Sequence, residues 1–207
     1  MARKTTAPRS YRSTLREDAR AETRRRIVVA TVALHAERGM LGTSHADIAE
    51  RAGVSVPTVY NHFPTAVSLL PHCMGSVEAS LPPIDPTIVT ELVPRKRIAR
   101  LVAAIHDRHE RLAPWLRWSV IEAARVPELA AALAKADAEQ AKLIAAALAT
   151  GSRRRTAREA LALARTLLDF TAWQRLLADL GDAQAVTRAT TAALQRLLLP
   201  DDEGASP

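Results

Sequence analysis

The stretch DIAERAGVSVPTVYNHF, Asp47 to Phe63, leaves the backbone few choices. Apolar residues at helical spacing (Ile48, Ala49, Ala52) stop at Gly53, a residue that takes positive φ without steric cost. Ser55 restarts the pattern, Pro57 falls in the first turn, where a missing N–H is harmless, and Val59 and Phe63 repeat the apolar spacing. Phe63-Pro64 then closes the segment, because the residue before proline is pushed out of the α region. Upstream, Ser44-x-x-Asp47 reads as a capping box, with Thr43 an alternative cap. Two short helices joined by a tight turn are predicted, crossing at a steep angle with small apolar residues between them.

The rest of the chain follows the helical period. Ile27, Ala30, Thr31 and Leu34 predict a first helix from Thr23 to Gly39. Thr65 caps a fourth towards Ser80, with Pro71 expected to bend or interrupt it. The segment LPPIDP at 81–86 marks a domain boundary, and beyond it amphipathic stretches run at 95–112, 114–125, 127–149, 156–180 and 183–199. Pro114, Pro127, Gly151, Gly181 and Pro200 punctuate them. Aromatics make only 3% of 207 residues against 48% hydrophobic, the composition of an all-α protein without a sheet.

Charge is concentrated at one end. Residues 1–26 hold nine Lys/Arg against three acids, so +6 of the chain's +7 lies there. Such an arm suits a polyanion, whose condensed counterions it would release, and it equally suits a solubilising disordered tail. The single Cys73 excludes an intrachain disulfide, and with no apolar block of secretory type the expected setting is cytoplasmic, with no membrane span. Beside His72, Cys73 is either a redox thiol or a small buried hydrophobe.

If Val59 and Phe63 face inward, then Val56, Pro57, Thr58, Tyr60, Asn61 and His62 face outward. That set offers hydrogen-bonding groups and apolar surface but no carboxylate to repel phosphates, and a helix of this size fits the major groove of double-stranded DNA. The basic helix start at Arg24 to Arg26 precedes it.

From Arg24 to Leu70, through RRRIVVATVALHAERG, TSHADIAERAGVSVPTVYNHF and PTAVSLL, the sequence resembles the TetR family of bacterial transcriptional regulators. The resemblance implies a three-helix helix-turn-helix DNA-binding domain, a connecting helix, and a larger helical ligand-binding and dimerisation domain. It implies a homodimeric repressor that leaves its operator when a small-molecule effector binds. Carried onto this chain, it expects Thr43 or Ser44 to touch phosphate, Val56, Pro57 and Thr58 to face bases, and Tyr60 and His62 to face backbone or bases. Together with Arg24, Ser55 and Asn61 these form the expected DNA-binding set. The family pattern has an aromatic where His35 stands, a basic or polar residue at Val56, glycine at Pro57 and a phosphate-contacting lysine at Ala66. The arm's arginines are expected to replace that last contact.

The expected domains are therefore a basic disordered arm at 1–20, the helix-turn-helix domain at 21–63, a connecting helix at 64–80 and an effector and dimerisation domain at 86–200. Effector candidates are His106, Trp115, Trp118, Glu122, Asp169 and Trp173, which combine apolar surface with few polar groups, although ordinary core packing explains each singly. Dimer candidates are Leu161, Ala164, Leu168, Ala172 and Leu176 on one stretch and Val186, Ala189, Ala193 and Leu197 on the next; finishing the intramolecular core is the other reading. His106 and His109 at i,i+3 are half a metal site at most, and a polar face or cavity lining explains them as well. No cofactor, metal or catalytic residue is expected, and the chain is not expected to be an enzyme. The competing readings are an effector-independent architectural DNA-binding protein and a metal-dependent enzyme using the His106/His109 region.

Overall fold

A computed structural model describes residues 9–148 and 154–199, with side chains described for 14–148 and 158–199. Among them are nine α-helices and no strand: α1 (Arg9–Arg38), α2 (His45–Ala52), α3 (Val56–His62), α4 (Ala66–Ser80), α5 (Pro94–Glu122), α6 (Pro127–Leu148), α7 (Arg154–Leu167), α8 (Phe170–Leu180) and α9 (Ala183–Leu198). A single 3-10 turn, Pro86–Thr90, capped by Asp85, follows the proline-rich boundary. The chain divides into two compact units, residues 1–80 with 117–126, and 81–116 with 127–207, so α5 supplies residues to both.

In the first unit α1 packs on α2 and α4, and α2 on α3. Its core joins Ile27, Ala30 and Leu34 of α1 to Ile48, Ala49 and Ala52 of α2, Val59 and Phe63 at α3, and Leu69 and Cys73 of α4. The second unit has two clusters. Ile98, Leu101, Val102 and Ile105 of α5 meet Ile144, Ala164, Leu168 and Leu194 in one, and Phe170, Trp173 and Val186 form the other, with Ala113 and Leu116 against it.

Several boundaries differ from expectation. The first helix begins at Arg9, so residues 9–20 of the expected disordered arm are helical; they contain neither Gly nor Pro, and the Glu22–Arg25 pair further along supports the same helix. Residues 1–8, Gly151 and Pro200 lie outside the described residues. Pro71 and Pro114 sit inside unbroken helices. At Pro114 the apolar neighbours Ala113 and Leu116 are packed, and burial of that kind offsets a lost backbone bond. The stretch 156–180 is in fact two helices, because Asp169 accepts the N–H of Thr171 at 2.8 Å and starts α8 as its N-cap.

Candidate nucleic-acid interface

The turn before α2 is built by side-chain oxygen atoms. Ser44 caps α2: its Oγ accepts the Asp47 N–H at 3.2 Å, while Asp47 Oδ2 accepts the Ser44 N–H at 2.8 Å, a closed capping box. The Ser44 hydroxyl and N–H, with the nearby Arg38 guanidinium, hold the Asp47 carboxyl down to about 2. Thr43, half-buried, gives its hydroxyl to the Gly39 carbonyl at 2.7 Å.

Gly53 ends α2 at φ 63°, ψ 43°, and its N–H returns to the α2 carbonyls while Arg26 Nη2 donates to the carbonyls of Ala52 and Gly53. A side chain there would be strained and would crowd that guanidinium. Ser55 then caps α3 through the Thr58 N–H, and Phe63 closes it by donating to the Val59 carbonyl at 2.8 Å.

Val59 and Phe63 are buried, and the opposite face of α3 is open. Tyr60 is 50% exposed and Val56 37%; Ser55, Pro57 and Asn61 are exposed. Thr58 and His62 are only half-buried groups at its edges, and the Thr58 hydroxyl lies 2.8 Å from that of Ser55. No acidic residue interrupts this face.

Basic groups of α1 flank it. Arg24 donates to His72 Nε2 at 2.6 Å and lies over the Phe63 ring at 5.2 Å, so its guanidinium is fixed on the surface. Burial, then the positive charges of Arg20 and Arg24, lower the His62 pKa. Arg20 belongs to α1, within the part expected to be a disordered arm.

One residue escaped that reading altogether. His45 stacks on Tyr60 with ring centroids 4.3 Å apart and planes 1° from parallel, and its Nε2 donates to the Phe63 carbonyl at 3.0 Å. Nothing in the local spacing signals a contact across 15 residues.

The same unit claims two of the expected effector residues. Glu122, 8% exposed, accepts the N–H groups of Met40 at 3.0 Å and Leu41 at 2.9 Å, and Trp118 Nε1 donates to the Ala36 carbonyl at 3.2 Å. Their polar atoms are committed to the end of α1, 81 or 82 residues away in sequence. Gly39 stands against the same carboxylate at φ 78°, where a Cβ would collide with it. Burial lowers the pKa of nearby His35, with Glu122 opposing.

Of the remaining effector candidates, Asp169 is an exposed cap and Trp115 is half-buried. His106 and Trp173 are buried, and both rings lie near that of His109. A separate surface cavity of about 360 Å³ lies between residues 81–88 and α5; none of the six candidates lines it, and its Arg100 and Arg111 are paired with Asp85 and Asp107. Among the dimer candidates Ala164, Leu168 and Val186 are fully buried within the one chain, Leu161, Ala172 and Leu176 are half-buried, and Ala189, Ala193 and Leu197 are exposed on α9. Cys73 is buried and its thiol is pushed up to about 12 by burial, which suits packing rather than redox chemistry. Among the described residues no three His, Cys, Asp or Glu side chains gather as metal ligands, and no helix is long and apolar enough to cross a membrane.

These features define a helix-turn-helix domain followed by a helical second unit. Residues 27–72 match the family model described as bacterial regulatory proteins, tetR family, and the chain has the fold of TetR-family transcriptional regulators. A transcriptional regulator from Rhodococcus sp. Rha1 is 21% identical at TM-score 0.64, covering 84% of this chain and 95% of that one. GusR from Salmonella enterica is 20% identical at TM-score 0.55, over 85% of this chain and 95% of that one. The multidrug binding protein EbrR, solved with imidazole, is 22% identical at TM-score 0.53, over 87% and 98%. At these identities the likeness speaks for the fold alone. No curated protein matches the sequence significantly.

Proposed function

We propose that this chain is a cytoplasmic, homodimeric, sequence-specific transcriptional repressor that a small-molecule effector releases from its operator. The observation that carries the DNA-binding part is the acid-free open face of α3, with Tyr60 half exposed and Asn61 exposed above a fully buried Val59. In this reading Val56, Pro57 and Thr58 meet base edges and thymine methyls, and Tyr60, Asn61 and His62 meet bases or backbone. Ser44, Thr43 and Ser55 approach phosphates at the helix starts, and Arg24 adds a fixed positive charge.

Two copies would pair through the exposed Ala189, Ala193 and Leu197 of α9 and the half-buried Ala172 and Leu176 of α8, a small-residue surface suited to a helical bundle. A two-fold dimer needs a near-palindromic operator with half-sites about one helical turn or somewhat more apart. Release follows if the effector binds more tightly to a dimer whose heads misfit that spacing, since a ligand shifts an equilibrium only by differential affinity. The helix α5, which contributes to both units, is a continuous element through which such a shift can act.

Selection of bound duplexes from a random DNA library tests the proposal. It expects recovery of a near-palindrome; recovery of no sequence preference at moderate salt would leave an architectural protein instead. On the recovered duplex, removing residues 1–20 should flatten the salt dependence of binding, and an unchanged slope would end the role given to the arm's arginines.

A further inference from the structure

The second unit buries polar atoms that have no partner. His106 Nε2, Trp173 Nε1 and Thr190 Oγ1 each lie on side chains at most 3% exposed and make no hydrogen bond. Groups in that condition are uncommon in folded proteins and call for an explanation. They belong to one seam. Val186, Thr190 and Leu194 are the buried face of α9, and Val186 packs with Phe170 and Trp173 while Leu194 packs in the other cluster, so Thr190 stands where the two meet. His109 links the rest: its ring is 6.3 Å from that of His106 and 6.0 Å from that of Trp173.

The Thr187 hydroxyl lies 3.0 Å from both the Ala183 carbonyl and His106 Nδ1 and has one hydrogen to give. With that hydrogen on the Ala183 carbonyl, His106 Nδ1 donates to Thr187 and Nε2 presents a bare lone pair, the tautomer that a hydrogen-donating ligand selects. Burial, and then the neighbouring His109, hold the His106 pKa down to about 4, so the ring is neutral at pH 7. His109 is likewise fixed, donating from Nε2 to the Leu168 carbonyl at 2.9 Å. The three unpartnered groups are thus an acceptor, an N–H donor and a hydroxyl that can do either, none of them charged.

We propose that His106 Nε2, Trp173 Nε1 and Thr190 Oγ1 are the polar lining of a binding site for a small uncharged aromatic molecule, one that gives a hydroxyl or N–H hydrogen to His106 and accepts from the Trp173 indole. The Phe170 and His109 rings, packed edge to face with centroids 5.6 Å apart, supply one aromatic wall. None of the three atoms carries a charge, so an ion would lose its hydration for neutral partners, and the nearby Asp169 and Arg108, which act on the His109 ring with opposite sign, favour neither a cation nor an anion. The site deepens the effector reading above and rests on it.

Calorimetry on the full chain with 4-hydroxybenzyl alcohol, p-xylene and 4-hydroxybenzoate tests it at pH 7. The alcohol is expected to bind, p-xylene about tenfold or more weakly than it, and the carboxylate not at all. Trp173→Phe, which keeps a ring, and Thr190→Val, which keeps the shape, should fold as the parent does by circular dichroism, and Trp173→Phe should weaken the alcohol about tenfold. His106→Leu should weaken it similarly. No binding of the alcohol, equal binding of the carboxylate, or affinity untouched by all three substitutions overturns the proposal. Release of the selected DNA is measured separately. Binding through these atoms without release supports the site and removes the effector reading, whereas release by a molecule whose affinity all three variants leave unchanged removes the site.

Discussion

In the first unit the buried Glu122 carboxylate takes the two N–H groups of the turn after α1, while in the second unit His106, Trp173 and Thr190 bury polar atoms that meet nothing. Among the described residues, no buried side-chain polar atom of the first unit lacks a hydrogen-bond partner. Satisfied polar anchors hold one geometry, which suits the DNA-reading role proposed for the first unit. Unsatisfied ones leave free energy to be gained by a ligand, which suits the effector role proposed for the second. The contrast sets the two proposed roles apart, and substitutions can break it.

The largest effect should come from Glu122→Ala. It strands the N–H groups of Met40 and Leu41 and should cost roughly 3 kcal/mol in urea denaturation, with hydrogen exchange faster at the end of α1. A cost near zero would mean the turn stands without its anchor.

Acid should separate the units next. Burial lowers the pKa of both His106 and His109, and a base whose folded pKa lies below its unfolded value makes the unfolded chain bind more protons. Stability from this source is full above about pH 6.5 and falls as pH drops towards about 4, by on the order of 2 kcal/mol for His106. The first unit's capping box loses stability in the same direction but in a lower window: with Asp47 held at about 2, its contribution is intact above the ordinary carboxylate range and is lost as pH falls through about 2. The first unit also has His35 and His62 lowered in the same direction, so both units lose stability in the histidine window, the second through two histidines that are both buried in its core. Hydrogen exchange at pH 4.5 or so should show the second unit loosening further than the first; equal loosening would erase the distinction.

Ser44→Ala removes one half of that box and should cost about 1 kcal/mol, localised to α2. Smallest of all, and of opposite sign, Thr190→Val should be neutral or stabilising by up to roughly 1 kcal/mol, because it deletes a buried hydroxyl that has no partner. A clear loss of stability there would reveal a partner for the hydroxyl and close the contrast from the other side.

The first unit was largely legible in the sequence because its signals are local. Ser44 with Asp47, Gly39 and Gly53 at positive φ, the Ser55 cap, Pro57 in the first turn of α3 and the stop at Phe63-Pro64 all act within a few residues. The alternation of Val59 and Phe63 with Tyr60 and Asn61 likewise fixed which side of α3 would be open. What stayed hidden depends on distant partners. Glu122 and Trp118 suit a cavity wall or the core equally by sequence, and the backbone groups they bind come from the end of α1, far away in the chain. His45 had no visible reason to stack on Tyr60. Pro71 and Pro114 stand inside single helices rather than interrupting them, because a proline's local cost says nothing of the surrounding burial, and the break at Leu168–Asp169 rests on an aspartate cap between apolar residues, which carries no glycine or proline signal. In the second unit, three of the nine dimer candidates are core, since one apolar period serves an internal or an intersubunit face alike.

The account turns on the open face of α3 being the surface that meets DNA. The most direct measurement is the affinity of Tyr60→Ala for the selected duplex, taken together with its helicity. Loss of about tenfold or more in affinity with an unchanged circular dichroism spectrum is the predicted result. Unchanged affinity, or a joint collapse of helicity and binding, would contradict it.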